Sequence, residues 1–435
     1  MNRPRKMAIA AVVLLLAAAM PCALCSGKRV LALIGSEDIR SSHSQYFQGL
    51  RDAGLEVDVR GHKDSGLKLA DYDTPRYDHL LLLAPRATSF GGSLSKASIL
   101  EWADAGGNLL VALAPGASDL VRGLAADLGV EVDAKGTRLY DHFSRQAAGG
   151  ATDPSLVATS AWIDSDAFLG AARPSSPVLF RGVAQAVPTS SELVTVLLSG
   201  EATSYSHDPT KAAAEPPLLP AGGAAALVSA VQSRNNARAL VVGSLDLLGD
   251  ELFDAAVEVA ESGKSYPQSG NRAFALAATL WAFQQRGVLE ASAPRHRNVV
   301  TGEEGPSPYR VKDEVQFEID IFEVEGGERR PFKSDDVQVS FVMLDPYIRQ
   351  PLQHAGDGKF SLRFTVPDVY GVFKYAIDYH HAGYSYINLE HVVPVRPYRH
   401  DEYERFILAA YPYYASAAST MAAFLVLGLA FLYGK

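Results

Sequence analysis

Cysteine is nearly absent. The 435 residues hold only Cys22 and Cys25, both inside an N-terminal segment that reads as a removable leader. Without that leader no thiol remains, which excludes a cysteine nucleophile, a thiolate metal site, a redox pair and a disulfide framework. Stability must then come from core burial. No N-x-S/T acceptor occurs anywhere, so the chain is not expected to be N-glycosylated itself. There is no G-x-G-x-x-G after the first strand, no H-E-x-x-H and no G-x-S-x-G. A dinucleotide site, a metalloprotease centre and a hydrolase nucleophile elbow therefore have no sequence support.

Long uncharged runs are also scarce, and both lie near the ends. Residues 1–25 place Arg3, Arg5 and Lys6 ahead of an apolar run from Met7 to Met20, with small Ala23 and Cys25 before Ser26. That order is a secretory signal peptide, too short to span. Its removal takes away three positive charges and no acid, moving the net charge from −9 to −12. A basic nucleic-acid surface is thereby excluded. From Ala415 to Tyr433 no charge occurs, and Tyr411, Tyr413, Tyr414 and Tyr433 flank the run. Its length matches a bilayer core, and the tyrosines sit where an aromatic belt belongs. Pro412 suits a first helical turn. A transmembrane helix over 413–433 is expected, leaving 434–435 as a cytosolic stub and the rest on the far side, a single-pass type I topology.

What lies between has the composition of a globular protein, 48% hydrophobic and 20% charged. From Arg29 short apolar runs (RVLALIG, YDHLLLLAP, NLLVALAP) alternate with helical patterns. This predicts a doubly wound, Rossmann-like α/β head over 27–145. In SSHSQYFQGLRDAG, Ser42 and Gln45 stand at capping-box spacing and Gly54 is a stop signal. Residues 150–292 are less regular: two strands joined by a turn at Arg234–Asn236, then a helix with Phe274, Ala277, Ala278 and Trp281 on one face. They are expected as a second α/β lobe, or else as a continuation of the first. A Pro/Gly-rich linker follows. Over 308–397 period-2 strands such as EVQFEIDIFE predict an antiparallel β-sandwich.

Ligands of parallel sheets bind at the strands' carboxyl ends, which directs attention to Ser36, Asp38 and His43 after the first strand. Members of a triad usually come from separate loops, so the low-specificity reading here is a ligand edge, with an α/β hydrolase as the alternative function. The D-x-D patterns at Asp71–Asp73 and Asp164–Asp166 resemble metal-binding pairs of glycosyltransferases but arise easily in an acidic chain. His380–His381 lacks an acid at protease spacing, Asp141–His142 is isolated, and Asp246 ends a strand with a loop or helix cap as its expected role. The residues alone describe an α/β head and a sandwich on a short stalk without an active site, suited to a scaffold or binding role.

Several longer stretches occur together and in order: HSQYFQGLRDAG, FGG at 90–92, FRGV at 180–183, SRNNARALVVGSLDLL, YPQSGN at 266–271, DPYIR at 345–349, VPDVYGVFKYAIDY and YERFILAAYPYYASA. In these the sequence resembles the 48 kDa subunit family of the oligosaccharyltransferase, across essentially the whole mature chain. The resemblance implies a non-catalytic subunit of the endoplasmic reticulum complex that moves a preassembled glycan from dolichol pyrophosphate to asparagine. It implies as partners a separate multi-spanning catalytic subunit, ribophorin-type subunits and small membrane subunits. The catalytic subunit's W-W-D-Y-G signature is absent here; any divalent metal belongs to that partner, and no cofactor is assigned to this chain. A glycan-binding head is a third reading. Ala415, Ala418, Ser419 and Ala422 are the expected docking face of the transmembrane helix. Members of the family commonly carry a lysine-containing cytosolic tail, whereas this sequence stops at Lys435; retention through partners and a truncated sequence both remain open.

Overall fold

The computed structural model describes residues 29–434 apart from 72–73, 148–152, 171–172, 189, 212–220, 306–307 and 404. The leader and Asp73 lie outside the described residues. The fold is mixed α/β with several sheets and one C-terminal apolar helix.

The head is built on β1 (Arg29–Ile34), β2 (Glu56–Gly61), β3 (His79–Leu83) and β4 (Asn108–Ala112), all parallel, in the spatial order β2-β1-β3-β4. The continuous apolar runs of β1, β3 and β4 reflect burial on both faces, while β2, EVDVRG, is the half-exposed edge. Val30, Ala32 and Ile34 point into one core layer, Leu31 and Leu33 into the other, as the two-residue period of a strand requires. The first layer is closed by α1 (Asp38–Ser42), α2 (Ser44–Asp52) and, from far along the chain, a long helix described below. The second is closed by α3 (Lys96–Asp104) and α4 (Asp119–Asp127), each started by a serine side chain accepting from the third helical N–H. Gly54 takes the expected positive φ of +86° and ends α2.

Residues 150–292 continue this sheet and beside it form two-stranded pairs, Val157–Thr159 with Val178–Phe180 and Val257–Glu258 with Ser265–Tyr266. After β5 (Glu131–Val132), β6 (Gln185–Ala186), β7 (Val194–Ser199) and β8 (Ala226–Gln232) comes β9 (Arg238–Val242), which lies parallel to β4. Strand β8 folds back antiparallel on β9 through the expected turn, where Asn236 adopts φ +67°. Strands β7 and β6 pair with β8, and β5 closes the edge on β6. The nine strands thus form one sheet, half parallel and half antiparallel. After the short α5 (Asp166–Leu169) and α6 (Asp250–Phe253), helix α7 (Asn271–Ala282) lays Phe274, Ala277, Ala278 and Trp281 into the first core layer, the face its periodicity marks.

The sandwich starts earlier than its alternating pattern suggests. Strands β10 (Val288–Ala291) and β11 (Arg295–Asn298) both pair with the long β13 (Glu314–Glu325). The expected linker therefore contains a strand, hidden because its RHRN sequence has no apolar alternation. Between them in the chain β12 (Tyr309–Arg310) runs parallel to the last strand, so the sandwich is antiparallel except for that short pair. Further on come β14 (Glu328–Pro331), β15 (Gln338–Val342), β16 (Pro346–Pro351), β17 (Gln353–Gly356), β18 (Lys359–Thr365), β19 (Gly371–Tyr379) and β20 (Ile387–Arg396). One sheet holds β10, β11, β13, β14, β18 and β17; the other runs β12-β20-β19-β15-β16. Val315, Phe317, Ile319 and Ile321 fill the space between, against Phe341, Phe373, Tyr375 and Ile377. Helix α8 (Tyr411–Tyr433) follows, with no residue buried by the rest of the chain.

Candidate functional site

The carboxyl ends of β1 and β3 flank the point where strand order reverses, the place expected to hold a ligand. His43 sits there but is committed to structure. It is 5% exposed; its Nε2 lies 3.2 Å from the Leu245 carbonyl and its Nδ1 2.9 Å from Ser42 Oγ. With Nε2–H donating to that carbonyl, Nδ1 accepts from Ser42 and neither nitrogen is free. Burial pulls its pKa below the usual 6.5, opposed by the Leu245 carbonyl and by Asp250 and Asp246. Ser36 and Asp38 are exposed, and no hydrogen bond joins either to His43. The three residues share an edge without forming a catalytic array.

The capping role expected of Ser42 and Gln45 goes elsewhere. At His43 the backbone leaves the helical region (φ −122°, ψ 30°), so α2 begins at Ser44. Its free N–H groups are taken by a residue 206 positions away: Asp250 accepts from Ser44 N at 2.9 Å, Ser44 Oγ at 2.7 Å and Gln45 N at 3.0 Å. Gln45 Nε2 in turn donates to Asp254 at 2.6 Å. A helix amino end accepts a carboxylate from any part of the chain, so sequence spacing alone could not reveal this one.

The same edge gathers other stretches of the family resemblance. Arg181 pairs with Asp246 at 2.8 Å, and Ser244 Oγ donates to the Arg181 carbonyl at 2.7 Å. Gly182 and Gly243 are in backbone contact: a Cβ on Gly182 would stand 2.3 Å from the Gly243 oxygen. Asn271 bridges both backbone groups of Leu179, accepting from its N–H at 2.7 Å and donating to its carbonyl at 2.8 Å. One cleft of the head, of about 640 Å³, opens at the amino ends of the strands. In its lining Asn108 accepts from Arg238 N and Gln284 Nε2, and His79 stacks on Phe283.

The remaining motifs resolve as structural contacts. Asp164 and Asp166 clasp one guanidinium, Arg173, each at 2.7 Å; Asp71 faces Lys68 at 3.7 Å. Asp141 is fully buried and accepts from Phe143 N, Ser144 N, Thr203 Oγ1 and Ser204 Oγ. His380 pairs with Asp378 and packs on Tyr386. Among the described residues no cluster of three His, Cys, Asp or Glu could hold a metal ion.

The loop after His380–His381 instead locks sandwich to head. Arg238, 1% exposed, donates to the carbonyls of Trp281 (2.9 Å), Arg286 (2.6 Å), Gly287 (2.6 Å) and Gly383 (3.4 Å), and lies over the Trp281 ring. Trp281 Nε1 also donates to Gly383 O at 2.7 Å. Asn236 makes both bonds to the Tyr386 backbone, and Gln232 donates to Tyr384 O. Sequence reasoning missed this clamp; its one signal was an arginine inside an apolar run.

On α8, Ala415, Ala418, Ser419 and Ala422 share one exposed face, with Ser419 Oγ returned to the Ser416 carbonyl.

Comparison with known proteins accounts for nearly the whole chain. The model of the OST48 N-terminal domain matches residues 22–285 and that of the OST48 middle domain residues 296–435. The dolichyl-diphosphooligosaccharide–protein glycosyltransferase 48 kDa subunit of Arabidopsis thaliana is 40% identical over 94% of this chain and 93% of its own. Its namesakes are 37% identical in Danio rerio (97% and 96%) and 36% in Caenorhabditis elegans (94% and 92%). A solved ThuA-like protein from Parabacteroides merdae covers 60% of this chain and 91% of its own at 15% identity and a TM-score of 0.33. With two family models tiling it and relatives matched along almost their full length, the chain belongs to the OST48 family.

Proposed function

We propose that this protein is a non-catalytic subunit of an oligosaccharyltransferase, acting in asparagine-linked glycosylation. Family membership over both domains carries the reading. The engaged state of His43, Asp246 and Asn271 agrees with a scaffold role and leaves the hydrolase alternative without a free nucleophile–base pair. The parallel half of the head is read as a doubly wound arrangement, extended by the antiparallel half. The chain supplies no metal or cofactor of its own; these belong to the catalytic subunit. It sits in the endoplasmic reticulum membrane with α8 as its single span and the head and sandwich in the lumen. Its partners are the multi-spanning catalytic subunit, ribophorin-type subunits and small membrane subunits. Nucleic acid is not among them. Glycan contact, where it occurs, uses the edge near Ser36, Asp38 and His43.

The test is purification in mild detergent. The catalytic subunit co-purifies, and depletion leaves reporter glycoproteins underglycosylated. A monomer without glycosylation partners refutes the proposal. Within it, Ala415, Ala418, Ser419 and Ala422 form the docking face of α8: Ala418→Leu lowers complex yield while membrane insertion stays normal, and unchanged yield refutes that assignment.

A further inference from the structure

The outer face of the five-stranded sheet changes character along its length. At one end it presents Asp378, Asn388 and Glu390, all exposed. Two residues at a time along the same face, it becomes apolar: Val392 lies opposite Lys374 and Pro394 opposite Val372. Val372 is 63% and Val392 61% exposed, although outward positions of such a sheet are ordinarily polar. Register locates the loops at this end. Val342 pairs with Lys374, so the turn from β15 to β16 lies level with Val372, with Leu344 at its tip and 91% exposed. Gly371 pairs with Val395, which puts Tyr370, 67% exposed, beside it.

The chain leaves the sandwich for α8 from this same end. Residues 397–403 are folded back and not extended. Arg396 holds Glu402 by two bonds of 2.6 and 2.7 Å, Glu402 also accepts from Arg399 N, and Tyr398 packs on Tyr403 beneath the Arg310 guanidinium. With 397–403 folded on the sheet end and Leu408–Ala410 in a helical turn, few residues separate this apolar end from the start of the span. We propose that the Leu344 and Tyr370 loops form a lipid-contacting surface that seats the sandwich on the interfacial layer of the bilayer. Leucine at a tip and tyrosine beside it suit that layer, where apolar faces enter a short distance and aromatic rings are favoured. Seating would fix the height and tilt of the lumenal domains with a span that none of the described residues buries.

The proposal rests on α8 crossing the membrane, and the test separates the two. The full chain, with Cys22 and Cys25 changed to serine, is reconstituted in phosphatidylcholine nanodiscs with a nitroxide at Leu344→Cys, Tyr370→Cys, Asn388→Cys or Leu425→Cys. Collision with oxygen and with a water-soluble nickel chelate is then read for each. Labels at 344 and 370 are expected to show an oxygen-to-nickel ratio several-fold above that at 388 and below that at 425. A ratio at 344 equal to that at 388, with 425 reporting lipid, overturns the proposal alone. A water-like 425 overturns the span and the proposal together. In the purified complex, shielding of 344 from both reagents assigns the surface to a neighbouring protein and overturns the lipid contact.

Discussion

Arg238→Ala cuts a buried cation that joins head to sandwich, and the structure sets the size of the effect. The guanidinium has no carboxylate beside it, and burial lowers its pKa to about 9, so it stays charged at neutral pH at a real desolvation cost. Three short bonds to carbonyls offset that cost, each worth roughly 1.5–3 kcal/mol as charge-assisted bonds. Of the four acceptors, Trp281 O, Gly287 O and Gly383 O keep a second donor: Gln284 N, Ser385 N and Trp281 Nε1. Arg286 O keeps none among the described residues. Alanine therefore costs about 2 kcal/mol for the cavity and roughly 1–3 kcal/mol for the stranded carbonyl. Loss of stability of about 3–5 kcal/mol follows, a fall of roughly 10 °C in the melting temperature of a domain this size. Arg238→Met strands the same carbonyl but fills the volume, so it should lose about 2 kcal/mol less than the alanine variant. Differential scanning fluorimetry ranks the variants, and hydrogen exchange at Gly383–Tyr386 shows whether the clamp has opened. Equal melting of wild type and Arg238→Ala, or a methionine variant less stable than the alanine one, would refute this account.

Three further outcomes are expected. Asp250→Ala removes the remote cap of α2 and costs about 1–2 kcal/mol, with faster amide exchange at Ser44 and Gln45; unchanged exchange there would contradict the capping role. Gly182→Ala brings a methyl to 2.3 Å from the Gly243 carbonyl, and Gly243→Ala another to 2.3 Å from the Val183 carbonyl. Neither variant should accumulate as folded protein, and a normal melt from either would show that these backbones can separate. For pH, His43 and His296 are both lowered from 6.5, each chiefly by burial and His296 also by His391. The unfolded chain then binds more protons, so their contribution is complete above about pH 6.5 and is lost as pH falls through the lowered native values. Stability measured by urea titration should drop on acidification from pH 7 to 5, less steeply in His43→Gln; identical slopes would remove His43 as a source.

Legibility followed locality. The runs of β1, β3 and β4, the buried face of α7 and the alternation of β13 are patterns within a dozen residues, and all could be read. The adjacency of β9 to β4 could not, because more than a hundred residues separate them and an apolar strand carries no record of its neighbour. For the same reason 150–292 looked like a separate lobe. Strand β11 was hidden differently: its sequence is polar, and pairing with β13, not burial of a face, makes it a strand.

The candidate site failed to be legible for a more specific reason. Ser36, Asp38 and His43 attract attention as side chains with chemistry, yet the residues that organise that edge work on backbone groups. Asp250 binds amides of α2, Asn271 both groups of Leu179, His43 the Leu245 carbonyl, and Gly182 and Gly243 allow two chains to touch. Replacing any of them leaves a buried donor or acceptor unpaired or forces backbone apart, whichever reaction the complex performs. Such stretches therefore identify a fold and its packing with high specificity while saying nothing of catalysis. Here the strong family resemblance rests on backbone packing and not on side chains with chemistry of their own.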